Sequence, residues 1–121
     1  MYNRTSFLGI IPARGGSKRL PRKNLLNLNE KPLVAWTIEA AKKSKYLDKI
    51  ILSTDDDEIS SVGLNYNIDV PFKRPKYLSE DNASTIDVIF HTLKYLKSNN
   101  MKYDCIVLLQ PTSPLRDEKD I

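Results

Sequence analysis

Three short apolar runs, residues 7–12, 49–54 and 104–109, are separated by segments whose apolar residues recur at helical spacing. Runs of that length bounded by polar turns read as buried strands, and the intervening periodicity reads as helix. Strand–helix–strand alternation implies βαβ units in a parallel sheet with right-handed crossovers. Pro32 is well placed at a helix start, and Leu33, Trp36, Thr37, Ala40 and Ala41 form one apolar stripe behind it. Asp55 is placed to cap a second helix with Glu58 reaching back, and Ile59, Val62 and Tyr66 continue it. Residues 69–72 read as a further short extended segment. Ile86, Ile89, Phe90, Leu93 and Leu96 mark the longest amphipathic helix. The fold class is α/β, a doubly wound, mostly parallel sheet. The chain stops soon after the last apolar run, where such sheets continue with more strands, so a truncated sheet in a single partial domain over residues 1–121 is expected.

Composition narrows the class. At 40% hydrophobic and 28% charged the chain matches a globular domain, and no apolar stretch approaches the ~20 residues that cross a bilayer. The first residues lack the apolar core of a signal peptide. The single cysteine, Cys105, rules out an internal disulfide framework and fits a reducing, cytoplasmic setting. It falls in an apolar run, so a buried, inert thiol is expected.

The net charge of +4 is concentrated in one place. Arg14, Lys18, Arg19, Arg22 and Lys23 lie within residues 14–24, together with Gly15, Gly16, Ser17 and Asn24, directly after the first apolar run. In open α/β sheets ligands bind beside the carboxyl ends of the strands, where this loop must lie. Glycines let the backbone turn its N–H groups onto an anion while the cations neutralise it, so the loop suits a polyphosphate. It matches neither the Walker A loop nor the dinucleotide fingerprint. Nucleic-acid binding would call for stacking aromatics among the cations, and residues 14–24 contain none. The acidic cluster at residues 55–58 is compatible with Mg²⁺ but reads more readily as helix capping. Lone His91 reads as structural. Residues 81–87 offer hydroxyls for capping or for a ribose. At the end of the last run, Gln110, Thr112, Ser113 and Arg116 supply amide, hydroxyl and guanidinium groups on a turn stiffened by Pro111 and Pro114.

With both loops in view the chain resembles the CMP-sialic acid synthetases (acylneuraminate cytidylyltransferases). The matching strings are Ile11-Pro-Ala-Arg-Gly-Gly-Ser-Lys-Arg-Leu-Pro-Arg-Lys-Asn24, Lys31-Pro-Leu-Val-Ala-Trp-Thr-Ile38, Ser53-Thr-Asp-Asp56, Arg74-Pro75, Asp81-Asn-Ala-Ser84 and Leu108-Leu-Gln-Pro-Thr-Ser-Pro-Leu-Arg116. The resemblance implies a Rossmann-like fold of the nucleotide-diphospho-sugar transferase type, covering the N-terminal half of such an enzyme. It implies CTP and a nonulosonic acid as substrates, with a CMP-sugar and pyrophosphate as products, in the cytoplasmic supply of cell-surface polysaccharide. Neither nucleic acid nor membrane is an implied partner. Arg14, Ser17, Lys18, Lys23 and Asn24 would hold the triphosphate, with Arg14 and Lys18 assisting catalysis. Arg74, Ala83 and Thr85 would lie near cytosine and ribose; Gln110, Thr112, Ser113 and Arg116 would face the sugar acid. Mg²⁺ is the implied cofactor, with ligands mainly outside these 121 residues and no metal ligand assigned within them. A homodimer is implied for the full-length enzyme. A non-catalytic CTP-binding fragment stays open as the alternative, and so does the choice among neuraminate, legionaminate and pseudaminate.

Overall fold

A computed structural model describes residues 5–13, 27–28, 31–75, 78 and 84–110. The elements, in chain order, are β1 (Phe7–Pro12), β2 (Asn27–Leu28), β3 (Lys31–Pro32), α1 (Leu33–Lys43), β4 (Lys49–Ser53), α2 (Asp57–Asn65), α3 (Thr85–Ser98) and β5 (Cys105–Leu108). The main sheet has the order β4-β1-β5, all parallel, and β2 with β3 makes a small antiparallel pair. Residues 69–73 add a partial edge beyond β4 through parallel bridges from Asp69 to Ile51 and from Lys73 to Thr54.

Two aspartates pin the register at the amino ends of the strands. Asp48 accepts the Phe7 N–H at 2.7 Å and returns its own N–H to the Phe7 carbonyl at 2.9 Å, which aligns β4 with β1. Asp104 accepts both the N–H and the hydroxyl of Ser6, at 2.9 and 3.0 Å, which aligns β5. Hydrogen bonds from the Ser6 backbone and side chain hold the Asp104 carboxyl below its usual range. A one-residue slip would turn every strand side chain to the opposite face, so these anchors decide which residues form each core.

Both faces of β1 are apolar because both are covered. Ile11 and Ala13 pack with Val34, Ile38 and Ala41 of α1 and with Ile59 of α2. Leu8 and Ile10 pack on the other face with Ile51 and with Leu96 of α3. The sheet is therefore doubly wound, as the alternation of runs required.

Four expectations need correcting. On α1 Thr37, Ala40 and Ala41 are buried as expected, but Val34, Ala35 and Ile38 complete the buried face, while Leu33 and Trp36 are only half-buried. On α3 the buried positions are Val88, Thr92 and Leu96, and Ile86 and Phe90 stand 62% and 63% exposed. Asp56, not Asp55, caps α2: its carboxylate accepts the N–H groups of Glu58 and Ile59 at 2.8 and 3.0 Å. Cys105 is exposed, against the expectation of a buried thiol, because it opens β5 at the amino end of the sheet.

Candidate functional site

The order β4-β1-β5 sets the geometry of the site. The chain leaves β1 to one side for β4, then crosses to the other side for β5. The carboxyl ends of β1 and β5 therefore flank the point where the winding reverses, and in open sheets that point opens a crevice for ligands. Leu109 lies there, donating its N–H to the Ile10 carbonyl at 2.9 Å, and half-buried Gln110 follows it directly. Ala13, at the end of β1, donates to the Ser53 carbonyl at 2.9 Å on the other side. The two distinctive loops of the sequence thus spring from adjacent strand ends.

Of the anticipated site residues, Arg74, Thr85 and Gln110 are among the described ones. Arg14, Ser17, Lys18, Lys23, Asn24, Ala83, Thr112, Ser113 and Arg116 lie outside them. The roots of the loop that carries the first five are nevertheless fixed. It leaves the sheet at Ala13 and rejoins described structure at Asn27, which pairs with Pro32. The Lys31 ammonium sits 4.6 Å from the centroid of the Trp36 ring and 2.9 Å from the Glu39 carboxylate. Glu39 also accepts the Tyr66 hydroxyl at 2.9 Å, so the β2–β3 pair is tied to α1 and through it to α2. The Lys31 hydrogen bond, helped by that of Tyr66, keeps Glu39 ionised below its ordinary range against the opposing effect of burial.

Arg74 is held by protein oxygens. Its backbone N–H donates to the Thr54 carbonyl at 2.8 Å. Its guanidinium donates from Nε to the Ser53 hydroxyl (3.1 Å), from Nη2 to the Ser53 carbonyl (2.7 Å) and from Nη1 to the Leu78 carbonyl (3.2 Å). Only 5% of the residue is exposed. Sequence reasoning placed Ser53 in the run 49–54 and in the string Ser53-Thr-Asp-Asp56 but gave it no role. Its partner is twenty-one residues away, and no local pattern announces the contact.

α3 runs back along the sheet, so its first turn returns to the carboxyl edge. Ser84 caps it, accepting the Asp87 N–H at 3.1 Å, and half-buried Thr85 follows. His91 sits one turn and a half further on, edge to face with Phe72 at 4.7 Å.

The donor set for Mg²⁺ is thin here. Asp56 is committed to its cap and Asp57 lies 3.6 Å from the Lys73 ammonium. Among the described residues no three His, Cys, Asp or Glu side chains gather. They do not by themselves make an oxygen cage, and magnesium characteristically arrives with substrate phosphates instead.

The family model described as cytidylyltransferase matches residues 8–121. The chain belongs to the cytidylyltransferase family. It is 47% identical over 114 residues to a pseudaminic acid cytidylyltransferase of Campylobacter jejuni, covering 94% of this chain and 49% of that protein. It is 43% identical over 118 residues to an N-acylneuraminate cytidylyltransferase of Escherichia coli, covering 98% and 27% respectively. The chain thus spans about half the length of the first relative and about a quarter of the second. Among solved structures it superposes on a CMP:2-keto-3-deoxy-manno-octonic acid synthetase complexed with CTP. That match has a TM-score of 0.77 at 24% identity and covers 96% of this chain and 44% of that one, and it establishes the shared fold. The relatives bear out the resemblance read from the two loops. No described helix of the chain is long and apolar enough to cross a membrane.

Proposed function

We propose that this cytidylyltransferase chain carries the nucleotide end of an enzyme that joins CTP to a nonulosonic acid, giving a CMP-sugar and pyrophosphate. The observation that carries the reading is the juxtaposition of the β1 and β5 carboxyl ends at the winding reversal, each leading into a loop of the family's type. In the reaction the sugar's anomeric hydroxyl gives up its proton and forms an O–P bond to the α-phosphorus. The bond to the β-phosphate oxygen breaks and pyrophosphate leaves.

Phosphoryl transfer depends mainly on position and charge, and the loop of residues 14–24 supplies cations on the leaving-group side. In this reading Arg14, Ser17, Lys18, Lys23 and Asn24 hold the triphosphate, and Arg74, Ala83 and Thr85 border cytosine and ribose. Gln110, Thr112, Ser113 and Arg116 face the acid. Mg²⁺ comes in on the triphosphate, with protein ligands mainly outside these residues. The setting is cytoplasmic, the product serves cell-surface polysaccharide, the full-length enzyme is a homodimer, and neither nucleic acid nor membrane takes part. Relatives named for different acids match this chain to similar degrees, so the shared nucleotide end does not select the sugar.

Calorimetric titration of the chain with CTP, UTP, ATP and GTP in the presence of Mg²⁺ tests the reading. CTP is expected to bind at least about tenfold more tightly than ATP, a difference that one or two base-reading hydrogen bonds supply. Equal affinities would remove the base-specific part. A parallel assay of pyrophosphate release with nonulosonic acids separates a catalytic chain from a CTP-binding fragment.

A further inference from the structure

We propose that Ser53 is a positioning residue that couples the loop following β1 to the loop following Arg74. The inference rests on the functional reading above and deepens it. Ser53 is 0% exposed at the end of β4, so it does not reach a ligand in the crevice itself. It nonetheless meets both flanking segments. Its carbonyl accepts the Ala13 N–H (2.9 Å), one residue before the basic loop begins, and also Arg74 Nη2 (2.7 Å). Its hydroxyl accepts Arg74 Nε (3.1 Å).

A guanidinium is planar, so bonds from Nε and Nη2 to one residue fix both its position and the orientation of its plane. The third bond, from Nη1 to the Leu78 carbonyl, passes that orientation on to the segment leading towards α3. Neighbouring Thr54 strengthens the arrangement, because its carbonyl takes the Arg74 backbone N–H and its hydroxyl takes the Asp56 N–H at 3.1 Å. A buried polar cluster of this kind holds one geometry only while every member is satisfied. Ser53 therefore holds Ala13, where the basic loop leaves the sheet, and Arg74 at a fixed separation.

Ser53 holds Arg74 through its hydroxyl as well as through the carbonyl it shares with Ala13, and only the hydroxyl bond depends on the side chain. Ser53→Ala removes the hydroxyl that Arg74 Nε uses but keeps the carbonyl that Ala13 uses. It should loosen the base side and spare the phosphate side. Titration of the full chain with CTP and with inorganic tripolyphosphate, both with Mg²⁺, reads the two sides separately. Ser53→Ala is expected to weaken CTP about tenfold, the scale for losing one hydrogen bond to a charged group, and to leave tripolyphosphate within about twofold. Arg74→Lys, which keeps the charge but loses the planar fork, should show the same split. The double variant should be no weaker than Arg74→Lys alone, because the Ser53 hydroxyl acts through the Arg74 guanidinium.

Equal losses for CTP and tripolyphosphate would overturn the proposal and leave Ser53 as a support of the fold. So would an unchanged CTP affinity, or additive effects in the double variant. Melting curves accompany each titration, and Ser53→Cys replaces the alanine variant if that one does not fold. If neither folds, Arg74→Lys alone must show the split or the proposal falls. A wild-type chain without preference for CTP would overturn the functional reading and this inference together. A wild type that prefers CTP beside an indifferent Ser53→Ala variant would overturn the inference alone.

Discussion

His91 shows how a single side chain is shaped by what surrounds it. Its Nδ1 is buried without a hydrogen-bond partner among the described residues, and its ring meets Phe72 edge to face. Burial, with smaller contributions from the positive charges of Arg74 and Lys94, pushes its pKa below the ordinary 6.5. The sign of the pH effect follows. Between the ordinary and the lowered pKa the unfolded chain binds a proton that the folded chain refuses, so stability falls as pH drops through 6.5 and levels off below the folded value. His91→Gln should remove that part of the acid destabilisation. Urea midpoints measured from pH 7.5 to pH 5 should fall more steeply for the wild type than for the variant, and parallel curves would show that His91 is protonated equally in both states. The structural reading of a lone histidine on a helix was available from sequence. Its buried Nδ1 was not, because burial depends on what other segments bring to the ring, Phe72 nineteen residues away among them.

Elements were legible where a pattern had one solution and obscure where it had two. The three strands stand out because short apolar runs between polar turns fit little else, and β1, β4 and β5 lie within residues 7–12, 49–54 and 104–109 as read. The helix faces did not, for a physical reason. On α1, Leu33 and Trp36 compete with Val34 and Ile38, and only the sheet decides which pair turns inward. On α3, Leu96 is buried and Leu93 packs on the core as expected, but Ile86 and Phe90 extend the apolar surface beyond what the sheet covers, so periodicity alone drew the stripe too wide. The site divides in the same way: its location follows from strand ends, whereas the Arg74–Ser53 contact needs the parallel edge formed by residues 69–73.

The closeness of α2 to the sheet is a property of one position that periodicity passes over. A Cβ on Gly63 would lie 2.6 Å from Leu52 Cδ2 and 3.0 Å from Val70 Cγ2. Alanine favours a helix over glycine by about 1 kcal/mol, but overpacking costs roughly 1–3 kcal/mol where neighbours have no room to move. Leu52 is fully buried among packed residues, so packing outweighs propensity here. Gly63→Ala is expected to destabilise the fold by about 1 kcal/mol in chemical denaturation. A stabilised variant would show that α2 shifts freely on the sheet.

At the scale of the whole molecule the sheet is unevenly protected, and the unevenness can be read amide by amide. β1 is bonded on both edges, by β4 and by β5, and Leu8, Ile10 and Ile11 are fully buried. β5 is bonded on one edge only among the described residues. Backbone N–H groups alternate sides along a strand. Those of Cys105 and Leu109 point to β1, donating to the Ser6 and Ile10 carbonyls at 3.0 and 2.9 Å. By alternation those of Ile106 and Leu108 point outward, where no described strand receives them. Amide exchange tracks the opening of such bonds, from the fraying edge to the global core. Amides of Ile10 and Ile11 should therefore exchange most slowly, Leu109 at an intermediate rate, and Ile106 and Leu108 fastest of the strand positions. NMR-detected exchange resolves these residues one by one. If Ile106 and Leu108 exchange as slowly as Leu109, another strand covers the outer edge of β5, and repeating the measurement at tenfold lower concentration shows whether a second copy supplies it. Unpaired edges are where sheets take on further strands, so fast exchange confined to Ile106 and Leu108 would mark the side on which this sheet can be extended.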